Sequence, residues 1–478
     1  FILAFTLPNL FRRLLGEGAL TSALIPIFTD VVAREGRGRA FAFFNQVVLR
    51  TLGLLLALTA GGSLLLFFLG GSGWLSERWA LGAELSIYLL PYMIFICLAA
   101  VVSAGLQCLG RFFEAALTPV LLNLAMIGAL LAALGLGLAE ARTVYLLCAG
   151  VLLGGLLQLA VPGFAFLRQG WRPALRLERP ESLGRLWQLF LPGLLGAAIL
   201  QINILVSRLL AFSLDESAVS LLYLASRLME LPLGVFTIAI VTVYFPLLSR
   251  LAGSRDEAGF EQSYGEGFRL ILALMVPAGI GLVALGEPIL RLLQWGAFSP
   301  ESARAALPLL AIYGLGLPFY AVATFATRGL HAQQDMRSPV RIAAICLVSN
   351  ALLGLALMPF LGAAGLALAN VLSAFLQALL LWRAGRRSSF AGLGQGLLPP
   401  LAKIVAAALL MGLFCWSARQ WFFPDVFGSE RSVALGAVLV LLPAGVGIYL
   451  ALLYLFRFKD LPALTQLLGR RLGRSSKD

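Results

Sequence analysis

Residues 433–456 read VALGAVLVLLPAGVGIYLALLYLF, twenty-four positions without a charged side chain. A helix rises 1.5 Å per residue, so about 20 apolar residues cross a hydrocarbon core of roughly 30 Å. This stretch is long enough to span a bilayer, and so is AALTPVLLNLAMIGALLAALGLGL at 115–138. The same reading extends over the chain: runs near 41–69, 85–109, 115–138, 143–167, 186–213, 217–248, 265–290, 303–327, 339–358, 362–382, 400–421 and 433–456 predict twelve full spanning helices. A partial or broken one precedes them, because the chain opens inside an apolar segment at Phe1 without an initiator Met or a charged leader. Arg12 and Arg13 follow that apolar run instead of preceding it, which is not the order of a secretory signal peptide. Composition agrees, with 60% hydrophobic and 12% charged residues against roughly half and a quarter in soluble domains. Transmembrane barrels alternate over segments of about ten residues, and these runs are continuous. The expected fold class is an all-α polytopic membrane protein.

The formal net charge of +13 would suit nucleic acid, but the positions of the basic residues point elsewhere. If loops alternate sides, one set holds Arg34, Arg37, Arg39, Arg111, Arg168, Arg172, Arg176, Arg179, Arg185, Arg250, Arg255, Arg328, Arg337, Arg341, Arg383, Arg386, Arg387, Lys403 and the tail from Arg457 to Lys477. That is 24 of the 36 Lys and Arg residues. The opposite set holds only Arg78, Arg142, Arg291, Arg304, Arg419 and Arg431. Such asymmetry marks cytoplasmic loops, so the C-terminus is expected in the cytoplasm and no nucleic-acid partner is expected.

Enzymatic chemistry has little to work with. Cys97, Cys108, Cys148, Cys346 and Cys415 all sit in apolar stretches without metal or redox spacing, and His331 is the single histidine. Neither a Ser/His/Asp triad nor a nucleotide-hydrolase phosphate loop is present, so the chain reads as a non-enzyme with no cofactor and no metal.

Landmarks recur about 220 residues apart: Leu90-Pro91-Tyr92 with Leu317-Pro318-Phe319, Thr118-Pro119 with Ser338-Pro339, Gln158 with Gln377, and Pro26 with Pro246. A duplication of six-helix units places both halves in the same orientation, a transporter arrangement. The expected organisation is an N-terminal lobe at 1–168, a cytoplasmic linker at 169–185, a second lobe at 186–387, two further helices at 388–456 and a basic cytoplasmic tail at 457–478.

Six arginines, Arg12, Arg13, Arg50, Arg208, Arg227 and Arg269, fall in or beside apolar segments. A cation at that depth costs about 2.5–3.5 kcal/mol on insertion scales, so it faces a cavity or a partner. Arg227 lies about ten residues into its helix, about 15 Å and near the midplane. Glu230 shares its face, and Pro232 with Gly234 weakens the helix just beyond. The pair reads either as an internal salt bridge or as a cavity cation whose pairing changes during transport. Arg12 and Arg13 precede Gly16-Glu17-Gly18, a run that permits a break, with Glu17 one turn from Arg13. Arg50, Arg208 and Arg269 lie near helix ends and are expected to snorkel. Guanidinium groups bind phosphate oxygens bidentately, which favours a phosphate-bearing substrate.

Leu7-Pro8-Asn9-Leu10-Phe11-Arg12-Arg13 running into Glu17-Gly18-Ala19 and Ile25-Pro26, with Ser226-Arg227-Leu228-Met229-Glu230-Leu231-Pro232 and Gly234, resembles the MurJ (MviN) lipid II flippases. These belong to the superfamily of multidrug, oligosaccharidyl-lipid and polysaccharide exporters. Gly296-Ala297-Phe298 and Gln334-Asp335 followed by Ser338-Pro339 extend the likeness along the chain.

The resemblance implies fourteen helices, in two pseudo-symmetric six-helix lobes around a central cavity plus two C-terminal helices, so the first helix is missing here. It implies alternating access in a bacterial inner membrane, carrying lipid II, an undecaprenyl-pyrophosphate-linked disaccharide-peptide, from the cytoplasmic to the periplasmic leaflet. Arg12 and Arg227 match the family's cavity arginines and would meet the pyrophosphate, with Glu230 beside the latter. Arg13, Asn9 and Glu17 complete the expected substrate-binding set. Membrane lipids and the cell-wall synthesis machinery are the other expected partners. Sodium coupling is not expected, since Asp335 is the only carboxylate between Ala305 and Pro424. Two further readings remain: another exporter of the superfamily, for an O-antigen-type lipid-linked sugar or a drug, or a non-transporting scaffold for cell-wall synthesis.

Overall fold

The computed structural model describes residues 1–16, 19–71, 76–175, 181–294, 298–387, 398–428 and 430–464. Among them there is no strand, and every predicted span falls on a helix. In chain order these are α1 (Ile2–Phe11), α2 (Ala19–Gly71), α3 (Glu77–Leu89), α4 (Tyr92–Cys108), α5 (Phe113–Gly135), α6 (Glu140–Arg168), α7 (Glu181–Leu214) and α8 (Glu216–Pro232). Then follow α9 (Ile238–Gly253), α10 (Glu257–Ala284), α11 (Gly286–Leu293), α12 (Pro300–Ala332), α13 (Arg337–Arg387), α14 (Leu398–Phe422) and α15 (Arg431–Leu455). Two π-helical segments, Arg12–Gly16 and Leu233–Thr237, interrupt the series.

Among the described residues, nine helices are long and apolar enough to cross a membrane, ten if α3 and α4 form one bent span. The sequence predicted twelve, and backbone breaks account for part of the difference. At Gly362, φ 55° and ψ −132° divide α13 into the two spans expected at 339–358 and 362–382. Gly36, at φ 82° and ψ 170°, likewise divides α2. Both backbones lie where a Cβ is strained, so glycine allows two helices to run on with no intervening loop. The span expected at 85–109 is bent by 40° at Leu90-Pro91, where the proline ring cannot continue the hydrogen-bond ladder. The span expected at 265–290 ends at Ala284, and α11 follows as a separate short helix.

Leu124, Ile127, Leu131 and Leu134 of α5 are exposed, and Ala133 is that helix's one buried side chain. Leu439, Val440 and Val446 of α15 also point outward. Large apolar side chains turned outward along whole helices suit lipid as the surrounding solvent.

The chain resolves into two compact units, Phe1–Leu205 and Val206–Asp478, with the boundary inside α7. In the first unit, Phe44 packs on Phe166 at 4.8 Å and on Trp171 at 5.6 Å between ring centroids. The Trp171 indole donates to Asn45 Oδ1 at 2.8 Å, and Asn45 Nδ2 donates to the Arg172 carbonyl at 3.0 Å. The start of the expected linker is thus docked on α2, while residues 176–180 lie outside the described residues. Three of the repeat landmarks meet in this unit. The Tyr92 hydroxyl donates to Gln158 Oε1 at 3.1 Å, and Gln158 Nε2 donates to the Thr118 carbonyl at 2.8 Å.

The second unit replaces Tyr92 by Phe319, which packs edge-on against Phe375 at 5.1 Å within an uninterrupted α12. Helices α14 and α15 are fastened to α10 and α11 at several depths. The Tyr449 hydroxyl donates to the Ala273 carbonyl at 2.7 Å, and Arg269 grips Asp460 at 2.6 Å. Arg419 pairs with Glu287, and Arg431 donates to the Gln294 carbonyl.

Candidate functional site

In the first unit, α1 carries Pro8, whose missing N–H removes one rung of the helix, and the chain then widens into the π segment Arg12–Gly16. The expected break at Gly16-Glu17-Gly18 falls, beyond Gly16, outside the described residues, and the π segment ahead of it was not anticipated. Asn9 lies one turn before Arg12. Its Nδ2 donates to the Phe5 carbonyl at 3.1 Å, which turns Oδ1 toward Arg12 Nε, also at 3.1 Å. Asn9, Arg12 and Arg13 are all half-buried. Asn9 and Arg12 are therefore brought together, and Asn9 orients the guanidinium without neutralising it. Glu17 lies outside the described residues.

In the second unit, Asp215 is the single residue between α7 and α8. Its extended backbone starts α8, and Ser217 Oγ donates to its carboxylate at 2.7 Å. Twelve residues on from Asp215, Arg227 Nη1 donates to Glu230 Oε2 at 2.6 Å. The two side chains are 46% and 49% exposed, and an ion pair that open is worth at most about 1 kcal/mol. A phosphate presenting several anionic oxygens can therefore displace Glu230 from Arg227. The second π segment, Leu233–Thr237, begins directly after Pro232, where the sequence predicted a weakened helix. Arg227 also stacks on Tyr223, its Cζ 4.9 Å from the ring centroid. Arg208 of α7 lies over the same ring at 5.3 Å.

The sequence profile of the lipid II flippase MurJ matches residues 1–429. A probable lipid II flippase MurJ of Rhizobium meliloti (strain 1021) is 35% identical over 465 residues, covering 95% of this chain and 86% of that protein. The chain belongs to the MurJ family of lipid II flippases. Its fold is that of a solved MurJ in an inward closed conformation, at TM-score 0.77 and 24% identity, covering 96% of this chain and 92% of the other. A multidrug-resistance transporter of the wider superfamily, solved in an inward-facing conformation, is more distant, with TM-score 0.64, 16% identity and coverage of 82% and 91%. Members of the MurJ family are transporters, so this multi-pass membrane protein is not an enzyme.

Within this MurJ-family fold, the arginines expected to snorkel are engaged with the protein. Arg50 donates to Gln46 Oε1 at 2.8 Å, Arg208 stacks on Tyr223, and Arg269 forms a two-point bond to Asp460 at 2.6 and 3.1 Å. Asp460 is buried, so the residues after α15 are fastened to α10 and do not leave it as a free tail. The remainder of the expected tail, 465–478, lies outside the described residues. Arg419, expected in an exposed loop, is buried in the last turn of α14 beside Glu287. Asp335 serves α13 locally, its Oδ1 accepting from the amides of Arg337 at 3.1 Å and Ser338 at 2.9 Å.

Sequence reasoning missed Arg208 and Tyr223 as a pair. A signal was present: Arg208 precedes the Leu214–Glu216 corner by about as many residues as Tyr223 follows it, and two antiparallel helices joined by one residue bring such positions level.

Proposed function

We propose that this protein moves lipid II from the cytoplasmic to the periplasmic leaflet of the bacterial inner membrane by alternating access, with its C-terminus in the cytoplasm. The functional lobes are residues 1–168 and 186–387, joined by 169–185, with 388–456 as the accessory helices. Arg12, with Asn9, Arg13 and Glu17, is the first lobe's contribution to diphosphate binding, and Arg227 with Glu230 is the second's. Cell-wall enzymes that make and consume lipid II are proposed partners, drawn to the basic cytoplasmic loops.

One observation carries the reading: Arg227 lies about 16 Å along α8 from Glu216, in a weak, half-open ion pair directly before a π segment. A structural salt bridge at such depth would be buried and closed. A pair that is exposed and within a few residues of a helix defect is placed to exchange partners as the helix moves. Glu230 then holds the guanidinium when substrate is absent and yields it to the pyrophosphate.

The test is rescue of cells depleted of their own flippase by the full-length protein. Arg227→Ala is expected to abolish rescue at normal membrane abundance. Growth equal to wild type would remove Arg227 from the mechanism.

A further inference from the structure

Helices α14 and α15 are joined to α10 and α11 from one end to the other. At one end Arg269 of α10 grips Asp460, which follows α15 and is buried. One turn further along α10, the Ala273 carbonyl accepts from the Tyr449 hydroxyl of α15 at 2.7 Å. Ile280 lies about 16 Å along α10 from Arg269, and its γ2 methyl fills a notch at Gly412 of α14 that a Cβ would close. At the far end Arg419 of α14, also buried, pairs with Glu287 of α11, and Arg431 of α15 donates to the Gln294 carbonyl. Swinging or sliding α14 and α15 away from α10 and α11 would strand Arg419 and Asp460 as buried charges and draw Ile280 out of its notch, all in one step. Helix α8 is the opposite case, since its Arg227–Glu230 pair is nearly half-exposed and the π segment Leu233–Thr237 separates it from α9.

From these contacts we infer that α14 and α15 are a brace fixed to α10 and α11, that these four helices keep one packing throughout transport, and that α8 moves against them. The inference rests on the reading of this chain as a flippase, and on no assignment of a headgroup ligand. A packed interface has discrete arrangements and does not deform continuously, so a seam closed at both ends and in the middle stays closed while a weaker one rearranges. The weak seam is where the open ion pair and the helix defect lie together.

The experiment places a disulfide across the brace. A Cβ at position 412 lies 3.8 Å from Ile280 Cβ, inside the span of about 3.5–4.5 Å that a disulfide bridges, and Ile280→Cys removes the methyl that a side chain there would meet. In the full-length protein with Cys97, Cys108, Cys148, Cys346 and Cys415 replaced by Ala, Ile280→Cys with Gly412→Cys is oxidised in proteoliposomes, and lipid II translocation is followed on one sample before and after. Oxidation is expected to change the rate by less than about twofold, whereas a loss of about tenfold that a reductant reverses overturns the inference. A second measurement needs no activity. Spin labels on Val283→Cys of α10 and Leu413→Cys of α14, both exposed positions in the same cysteine-free background, are expected to show one separation with and without lipid II in nanodiscs. Labels on Val283→Cys and Leu231→Cys of α8, also exposed, are expected to show a separation that lipid II changes. A second separation across the brace, or an α8 separation that stays constant, overturns the inference. A wild-type protein that does not translocate lipid II is a different result, which removes the underlying reading of the chain.

Discussion

Arg12 in the first unit and Arg227 in the second are each held by a residue three positions away, next to or within a π segment, but the holders differ in charge. Asn9 is neutral and fixes only the direction of Arg12. Glu230 carries a full negative charge and competes with any anion for Arg227. A third pair makes the contrast plainer. Arg269 and Asp460 meet at the same 2.6 Å as Arg227 and Glu230, yet are 21% and 8% exposed where the latter are nearly half-exposed. Distance does not separate a fastening from an exchangeable contact here. Burial does, because water or a ligand reaches one pair and not the other.

Stability measurements break or sharpen that distinction first. Arg269→Ala leaves Asp460 buried without its guanidinium and is expected to cost about 2–3 kcal/mol, read as a lower denaturation midpoint of the purified protein in detergent. Glu230→Gln should change the midpoint by less than about 0.5 kcal/mol while raising lipid II affinity about two- to threefold, since Arg227 loses its competitor. Equal destabilisation by both variants would erase the difference between closed and open pairs.

Converting one holder into the other tests the first unit. Asn9→Asp sets a carboxylate beside Arg12 and is expected to lower lipid II affinity about tenfold, whereas Asn9→Ala loses only orientation and costs less. Should Asn9→Asp bind as tightly as wild type, the net charge around Arg12 is irrelevant to binding.

The repeat landmarks offer a smaller effect. Tyr92→Phe gives the first unit the side chain that the second carries at Phe319 and removes the donor to Gln158 Oε1, at an expected cost of about 1 kcal/mol. A neutral outcome in thermal unfolding would mean that another donor replaces the hydroxyl.

The smallest effect is at the corner between α12 and α13. Asp335→Ala removes a helix cap worth about 0.5–1 kcal/mol. Partial burial alone would raise the Asp335 carboxyl, but hydrogen bonds from Ser338 and the Arg337 amide outweigh it and leave the group below its ordinary value. A depressed folded-state value means that the cap's contribution is complete above the unfolded carboxyl value of about 3.9 and is lost as pH falls through the lower folded one. Asp335→Asn should keep much of the cap and lose this acid sensitivity, which unfolding followed from pH 6 to pH 2 would detect.

Most of the site's local half was legible without coordinates. Arg227 and Glu230 are three residues apart on one helix, so the helical repeat alone places them within reach, and Pro232 marked the defect that became the second π segment. Asn9 and Arg12 follow the same rule. The π segment at Arg12–Gly16 was not legible, because a π turn needs no glycine at its start and Arg12 gives no local sign of it.

Sequence by itself determined the class of solvent, the helical state and the local arginine pairs. Apolar length is set by bilayer thickness, and contacts at three- or four-residue spacing follow from helix geometry alone. Tertiary structure decided what joins residues far apart in the chain: Arg269 to Asp460 across 191 positions, Tyr92 to Gln158 across 66, and Arg208 to Arg227 through Tyr223. Those contacts depend on the rotation and register of each helix against its neighbours. In lipid, with apolar side chains on every face, packing sets both, and the hydropathy of the helices does not.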